Sequence, residues 1–153
     1  MPSINERLED LGIALPDPVA PVANYVPYVI TGNLVSVSGQ ISIGPDGLLK
    51  GRLGDDLSID QGVEAAQACA VNLIAQMGAA LDGDLERVRR VVKLGGFVTC
   101  TADFTDQPKV INGASDLMVA VFGDAGRHSR AAVGVPSLPL GAAVEVDGLF
   151  EIS

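Results

Sequence analysis

At 153 residues the chain has the length of one domain, and a hydrophobic content of 48% is ample for a core built on Ala, Val, Leu and Ile, since aromatics are 4% and Trp is absent. Ten basic against 19 acidic residues give a net charge of −9, which argues against a phosphate-tracking nucleic-acid binder and against anionic membranes. Mean hydropathy is high at +0.35, yet no apolar run reaches the roughly 18 residues of a spanning helix, so the apolar surplus points to an interface between copies.

Residues 3–13, "SINERLEDLGI", predict a short helix with Ser3 as N-cap, Glu6 completing a capping box and Gly12 as the stop. Four prolines between Leu15 and Pro27 forbid a helix and predict an extended surface arm. "YVPYVITGNLVSVSGQIS" reads as two strands joined by hairpin chemistry at Thr31-Gly32-Asn33. "GPDGLLKGRLGDDL" is a Gly-rich loop or irregular hairpin. A long helix follows from the capping box Ser58/Gln61. Val63, Ala66, Ala70, Leu73, Ile74, Met77 and Leu81 recur on one face, and the helix stops near Gly83.

"DLERVRRV" predicts a helical turn into the strand "VVKLGGFVTCTADF", where Gly95-Gly96 marks a bulge or a close backbone approach. A second long helix runs from about Pro108 to Gly123, with Pro suited to its first turn. The end, "SRAAVGVPSLPLGAAVEVDGLFEI", gives two strands around a Pro/Gly turn. The order β-β-α-β-α-β-β predicts an α+β sandwich, two helices on one face of a mixed sheet, its other face covered by another copy.

Arg127, His128 and Arg130 crowd the front of that last segment. His128 is the only histidine and cannot build a metal site alone; Cys69 and Cys100 lack metal-ligand spacing and read as buried thiols in a reducing cytosol. No apolar leader opens "MPSINERLEDLG", so no secretory signal is expected and the expected place is cytoplasmic. Arg130 opens an apolar strand, where a charge is costly unless paired, and its fork suits a carboxylate. Strand alternation turns Glu145 away from Val144 and Val146. Two readings stand: an internal Arg130–Glu145 ion pair on adjacent strands, or two residues lining one pocket. Taken singly, His128 reads as a solvated loop residue, Ser38 as a hydrogen-bonding strand end, and Tyr25 as packing.

Together these residues carry a likeness. Tyr25 precedes Ser38-Gly39-Gln40 at a spacing that, with Asn112 and then Arg130, Leu138-Pro139 and Val144-Glu145, resembles the Rid (YjgF) family, also called endoribonuclease L-PSP. The likeness runs from about Tyr25 to Ile152 and resembles a divergent branch, with residues 1–24 as an N-terminal helix and arm of a single 1–153 domain. It implies a chorismate-mutase-like fold, a homotrimer with pockets between subunits, and hydrolysis of enamines and imines such as 2-iminoacids to ketoacid and ammonia. By the same likeness Arg130 holds the substrate carboxylate and Glu145 places the water. Tyr25, Ser38, Gly39 and Asn112 shape the pocket. No metal or cofactor is implied. Many members carry Cys where this chain has Ala132, so no thiol role is implied there. Arg127 and His128 are additional, as a second anion contact or, for His128, an acid/base.

Two other functions remain open: a module that binds a small carboxylate or metabolite without turnover, and the endoribonuclease of the older name. The second is disfavoured by the acidic charge and the scarcity of aromatic stacking platforms. Small-molecule partners and further copies of the chain are expected; nucleic acid and membrane are not.

Overall fold

Serine caps start two of the three helices where the sequence puts them. The computed structural model describes residues 1–21 and 23–153; Val22, in the arm read as extended, lies outside the described residues. Helix α1 (Ile4–Asp10) begins at Ser3, whose Oγ accepts from the Glu6 amide at 3.1 Å while the Glu6 carboxylate accepts from the Ser3 amide at 2.6 Å. Helix α2 (Ile59–Ala80) begins with the same reciprocal pair at Ser58 and Gln61. Each box satisfies two amides that a helix start leaves orphaned. Helix α3 (Gln107–Phe122) carries Pro108 in its first turn and stops at Gly123, whose φ of 65° suits a residue without a side chain.

Strands β1 (Tyr28–Thr31) and β2 (Leu34–Ile41) form a hairpin through Gly32-Asn33, with Gly32 at φ 59°. The Gly-rich segment folds as a small hairpin, β3 (Ile43–Gly44) with β4 (Gly47–Leu48). A 3-10 turn, Leu85–Arg87, feeds β5 (Val88–Thr99) as expected, but the strand begins within the segment read as the turn and stops before Cys100. The last strands are β6 (Ser129–Val135) and β7 (Val144–Ile152).

The main sheet has the order β1-β2-β7-β5-β6. Only β5 and β6 run parallel; the other pairs are antiparallel. Helices α2 and α3 cover one face, giving the mixed α+β sandwich that was expected. The core between them is aliphatic, with Leu73, Ile74, Met77, Ile111, Met118 and Phe150 fully buried, each such side chain contributing about 1.5–3 kcal/mol. Gly95-Gly96 is a close approach and not a bulge. A Cβ on Gly96 would lie 2.7 Å from Ile111, so the missing side chain lets α3 settle on the sheet. The bulges of β5 fall earlier, between Val88 and Arg90 and between Val91 and Lys93.

Among the described residues the opposite sheet face carries no helix. On β7 the buried Val144, Val146, Gly148, Phe150 and Ile152 alternate with half-buried Glu145, Asp147, Leu149 and Glu151. Val29 and Val133 are about half exposed, at 52% and 46%.

One expectation fails here. The last two strands are not neighbours, because β5 inserts between them. Arg130 is level with Leu94 and Glu145 with Phe97, three residues further along. The two Cα atoms are therefore roughly 14 Å apart. Their side chains also leave opposite faces, so an internal Arg130–Glu145 ion pair is ruled out within the chain.

Candidate functional site

The expected site residues fall into two groups. The first surrounds a cavity of about 340 Å³ lined by the arm (Val19, Ala20, Pro21, Ala23), by Tyr25, Gly39 and Gln40, and by Pro139 and Glu145. Tyr25 is 44% exposed at the foot of the arm. The pairing of β2 with β7 slips between Val37 and Gln40, and this irregularity swings Gly39 over β7. Gly39 has no side chain, and the Glu145 carboxylate occupies the space that a Cβ would take. Ser38 lies beside the cavity but is spoken for, its Oγ donating to the Val26 carbonyl at 2.8 Å. That bond fixes the entry of the arm into the sheet.

Glu145 is half buried, and burial first, then the Asp147 carboxylate two residues on, raises its pKa above the ordinary glutamate value. Asp147 is raised as well, by burial against a partial offset from the Gly95 amide and Lys93. Glu145 joins no ion pair among the described residues. A carboxylate that is partly desolvated, uncompensated and open to a cavity holds its proton more readily than one in water.

The second group sits on the helical side of edge strand β6. Arg130 Nη1 donates to Asn112 Oδ1 at 2.8 Å and to Ser115 Oγ at 3.0 Å; Nη2 donates to the Pro108 carbonyl at 3.2 Å. Pro108, Asn112 and Ser115 are four and three residues apart on α3, so one face of that helix presents all three acceptors. His128 joins the cluster with Nε2 2.8 Å from Ser115 Oγ and Nδ1 2.6 Å from the Gly126 carbonyl. The lone histidine is thus a network member, not a solvated loop residue. Arg127 is not part of it and pairs on the surface with Asp124 at 3.6 Å.

All three acceptors of Arg130 are neutral, so its charge is uncompensated. A guanidinium has five N–H donors, and three are used. Among the described residues, Nε–H and the second Nη2–H have no partner. When the Pro108 carbonyl takes the Nη2 proton that points away from Nε, the two left over form the side-on fork of an arginine, the geometry that takes a carboxylate in a bidentate manner. Arg130 does not line the cavity of the first group. The structure therefore brings Tyr25, Gly39 and Glu145 together with Ser38 alongside, gathers Asn112, His128 and Arg130 elsewhere, and does not join the two groups within one chain.

Sequence reasoning missed Ser115, Asp147 and the arm residues, and named Gln40 only as part of the Ser38-Gly39-Gln40 likeness. Ser115 was within reach, since its spacing from Pro108 and Asn112 marks one helix face. The arm had no local signal, because its place depends on Gln76 of α2, whose Nε2 donates to the Val19 carbonyl at 2.8 Å.

Comparison with known proteins adds to this geometry. The family model described as "YjgF/chorismate mutase-like, putative endoribonuclease" matches residues 5–151, beginning before the likeness that starts at Tyr25. Protein TCP17 of Trypanosoma cruzi is 53% identical over 151 residues, covering 96% of this chain and 92% of that one. The crystal structure of Atu1372 from Agrobacterium tumefaciens, a protein described as of unknown function, is 48% identical with a TM-score of 0.92, over 98% of this chain and 92% of that one. TdcF of E. coli, solved with bound serine, shares the fold at 22% identity and a TM-score of 0.61, over 90% of this chain and 94% of that one. The fall in both identity and superposition toward TdcF sets this chain apart from that protein, and a match from residue 5 to residue 151 leaves only the extreme ends outside: the chain belongs to the YjgF family, as a divergent branch of it.

Proposed function

We propose that the protein is a cofactor-free hydrolase of small imines or enamines, releasing ketoacid and ammonia from 2-iminoacids in pockets shared between adjacent copies of a homotrimer. One observation carries the reading: an arginine with an unused side-on fork and a carboxylate of raised pKa, held on opposite faces of one sheet. Neither half can finish a site alone. The uncovered sheet face, with Val29, Val133 and the cavity around Glu145, supplies the surface on which a second copy would bring its Arg130.

The chemistry needs little more. An iminium carbon is already electrophilic, so positioning and proton transfer supply most of the effect. Arg130 grips the ligand carboxylate and fixes the imine carbon. Glu145 takes a proton from water as its oxygen bonds to that carbon. Glu145 then returns that proton to the carbinolamine nitrogen, the C–N bond breaks as the C=O bond forms, ammonia leaves, and the hydroxyl proton passes back to Glu145. A raised pKa brings Glu145 closer to neutral pH, where a general base works best. The bound serine of TdcF, a small amino carboxylate in a protein of this fold, is in keeping with such a ligand. The acidic net charge weighs against RNA as substrate.

Mixing two damaged chains tests both the residues and the sharing. At 2-iminoacid concentrations well below KM, Arg130→Ala should cut ketoacid release by about 10- to 150-fold through KM, and Glu145→Gln by about 10²–10⁴ through kcat. Co-refolded in equal amounts, they should recover activity, because in random trimers about one quarter of the pockets take an intact residue from each neighbour. Wild-type protein that does not exceed the uncatalysed rate, while pyruvate still raises its melting temperature, would replace the hydrolase by a binding module. Single variants as active as wild type would remove the site.

A further inference from the structure

We infer that Ser115 and His128 are positioning residues for Arg130, a hydrogen-bonded strut that aims its free fork. The inference rests on the reading that Arg130 takes the ligand's carboxylate. The Gly126 carbonyl can only accept, so His128 Nδ1, 2.6 Å away, carries the proton. In the neutral ring Nε2 is then an acceptor. The Ser115 hydroxyl, 2.8 Å from Nε2, donates to it. With its one proton committed to His128, Ser115 Oγ presents lone pairs to Arg130 Nη1 at 3.0 Å. With the imidazole neutral, the direction of every bond in the chain from Arg130 to Ser115 to His128 to Gly126 is set by the carbonyl at its end.

The strut matters because of what the hydroxyl would otherwise do. A serine within a helix readily turns its hydroxyl to the carbonyl four residues back, here that of Ile111. His128 holds it off that bond and toward Arg130. Asn112 and Ser115 then take both protons of Nη1, and the Pro108 carbonyl takes one of Nη2. The guanidinium plane is pinned by three acceptors, and the donors left over are held in one orientation. Without Ser115 the Nη1 end is held by Asn112 alone, and the plane can turn. Ser115 and His128 touch no ligand in this reading; they act only through Arg130.

The test uses the full-length protein, pyruvate as the binding probe, and steady-state kinetics with 2-iminoacid. Ser115→Ala and His128→Phe should each weaken pyruvate binding and raise KM about three- to tenfold with kcat unchanged, because a carboxylate grip is felt equally in the ground and transition states. His128→Gln, whose side-chain oxygen can still accept from Ser115, should restore most of the affinity. A melting curve on each variant separates misfolding from misaiming. If Arg130→Ala weakens pyruvate binding while Ser115→Ala and His128→Phe do not, the strut is refuted and the carboxylate grip stands. If Arg130→Ala itself leaves pyruvate binding intact, the grip falls and the strut with it. Loss of kcat at constant KM in the strut variants, or failure of His128→Gln to rescue, would reduce these residues to ordinary packing.

Discussion

Arg130 and Glu145 are both charged groups on strands of one sheet, yet the chain treats them in opposite ways. Arg130 is held by three neutral acceptors from one helix face, which fixes its direction and leaves its charge uncompensated. Glu145 lies over a glycine beside a cavity, with burial and a neighbouring carboxylate both opposing its charge. One half is aimed and the other is poised. A binding group gains from being aimed, because freezing it before the ligand arrives lowers the entropy lost on binding. A proton acceptor gains from being poised, because its value depends on pKa and not on rigidity.

The comparison breaks most sharply at Glu145. Glu145→Gln keeps the shape and removes the proposed base, so kcat should fall by about 10²–10⁴ with little change in KM, read from ketoacid release. Gly39→Ala should push in the same direction by less. Its new Cβ would claim the space of the Glu145 carboxylate, which is the end of a flexible side chain and can move aside without unfolding the chain. A Gly39→Ala variant with full kcat would show that the position of that carboxylate is unimportant.

Arg130→Lys sharpens the other half. Lysine keeps the charge but has no fork and cannot serve Asn112, Ser115 and Pro108 while also gripping a carboxylate. Affinity for pyruvate should drop by about 1.5–3 kcal/mol, the worth of a charged hydrogen bond, and calorimetry reads it directly. Affinity equal to wild type would mean that charge alone, not a fork, recruits the ligand.

What the sequence made legible follows the range of the interactions. The capping boxes at Ser3/Glu6 and Ser58/Gln61, the turn at Gly32 and the stop at Gly123 are local, and each forms as its residue pattern dictates. The outward turn of Glu145 also follows from simple alternation. The placement of β5 between β6 and β7 is not local, and nothing near Arg130 announces it. The ion pair expected across the final turn failed for that reason. The family likeness named Asn112 and Arg130 separately; only the folded helix shows them bonded, with Ser115 and His128 completing the cluster. The arm stayed obscure because the contact that seats it against α2 spans 57 residues.

The smallest effect tests whether the bare face is poised at all. Glu145 and Asp147 both have pKa values raised in the folded chain, chiefly by burial. Between the ordinary carboxylate range and those raised values the native state binds more protons than the unfolded one. Stability therefore falls as pH rises through that window, and above it the loss stays constant. Glu6 and Asp103 are shifted down by their serine and threonine partners and act with the opposite sign. Subtracting wild type from variant cancels them. Glu145→Gln and Asp147→Asn should thus melt close to wild type at acid pH and above it at neutral pH, the gap opening through the window. Both groups are about half exposed, so solvent screens the gap to a modest size. It should widen if another copy covers this face, because deeper burial raises the cost of the two charges. A gap that is flat with pH would mean these carboxylates are as well solvated as any on the surface, and the contrast with Arg130 would lose its second term.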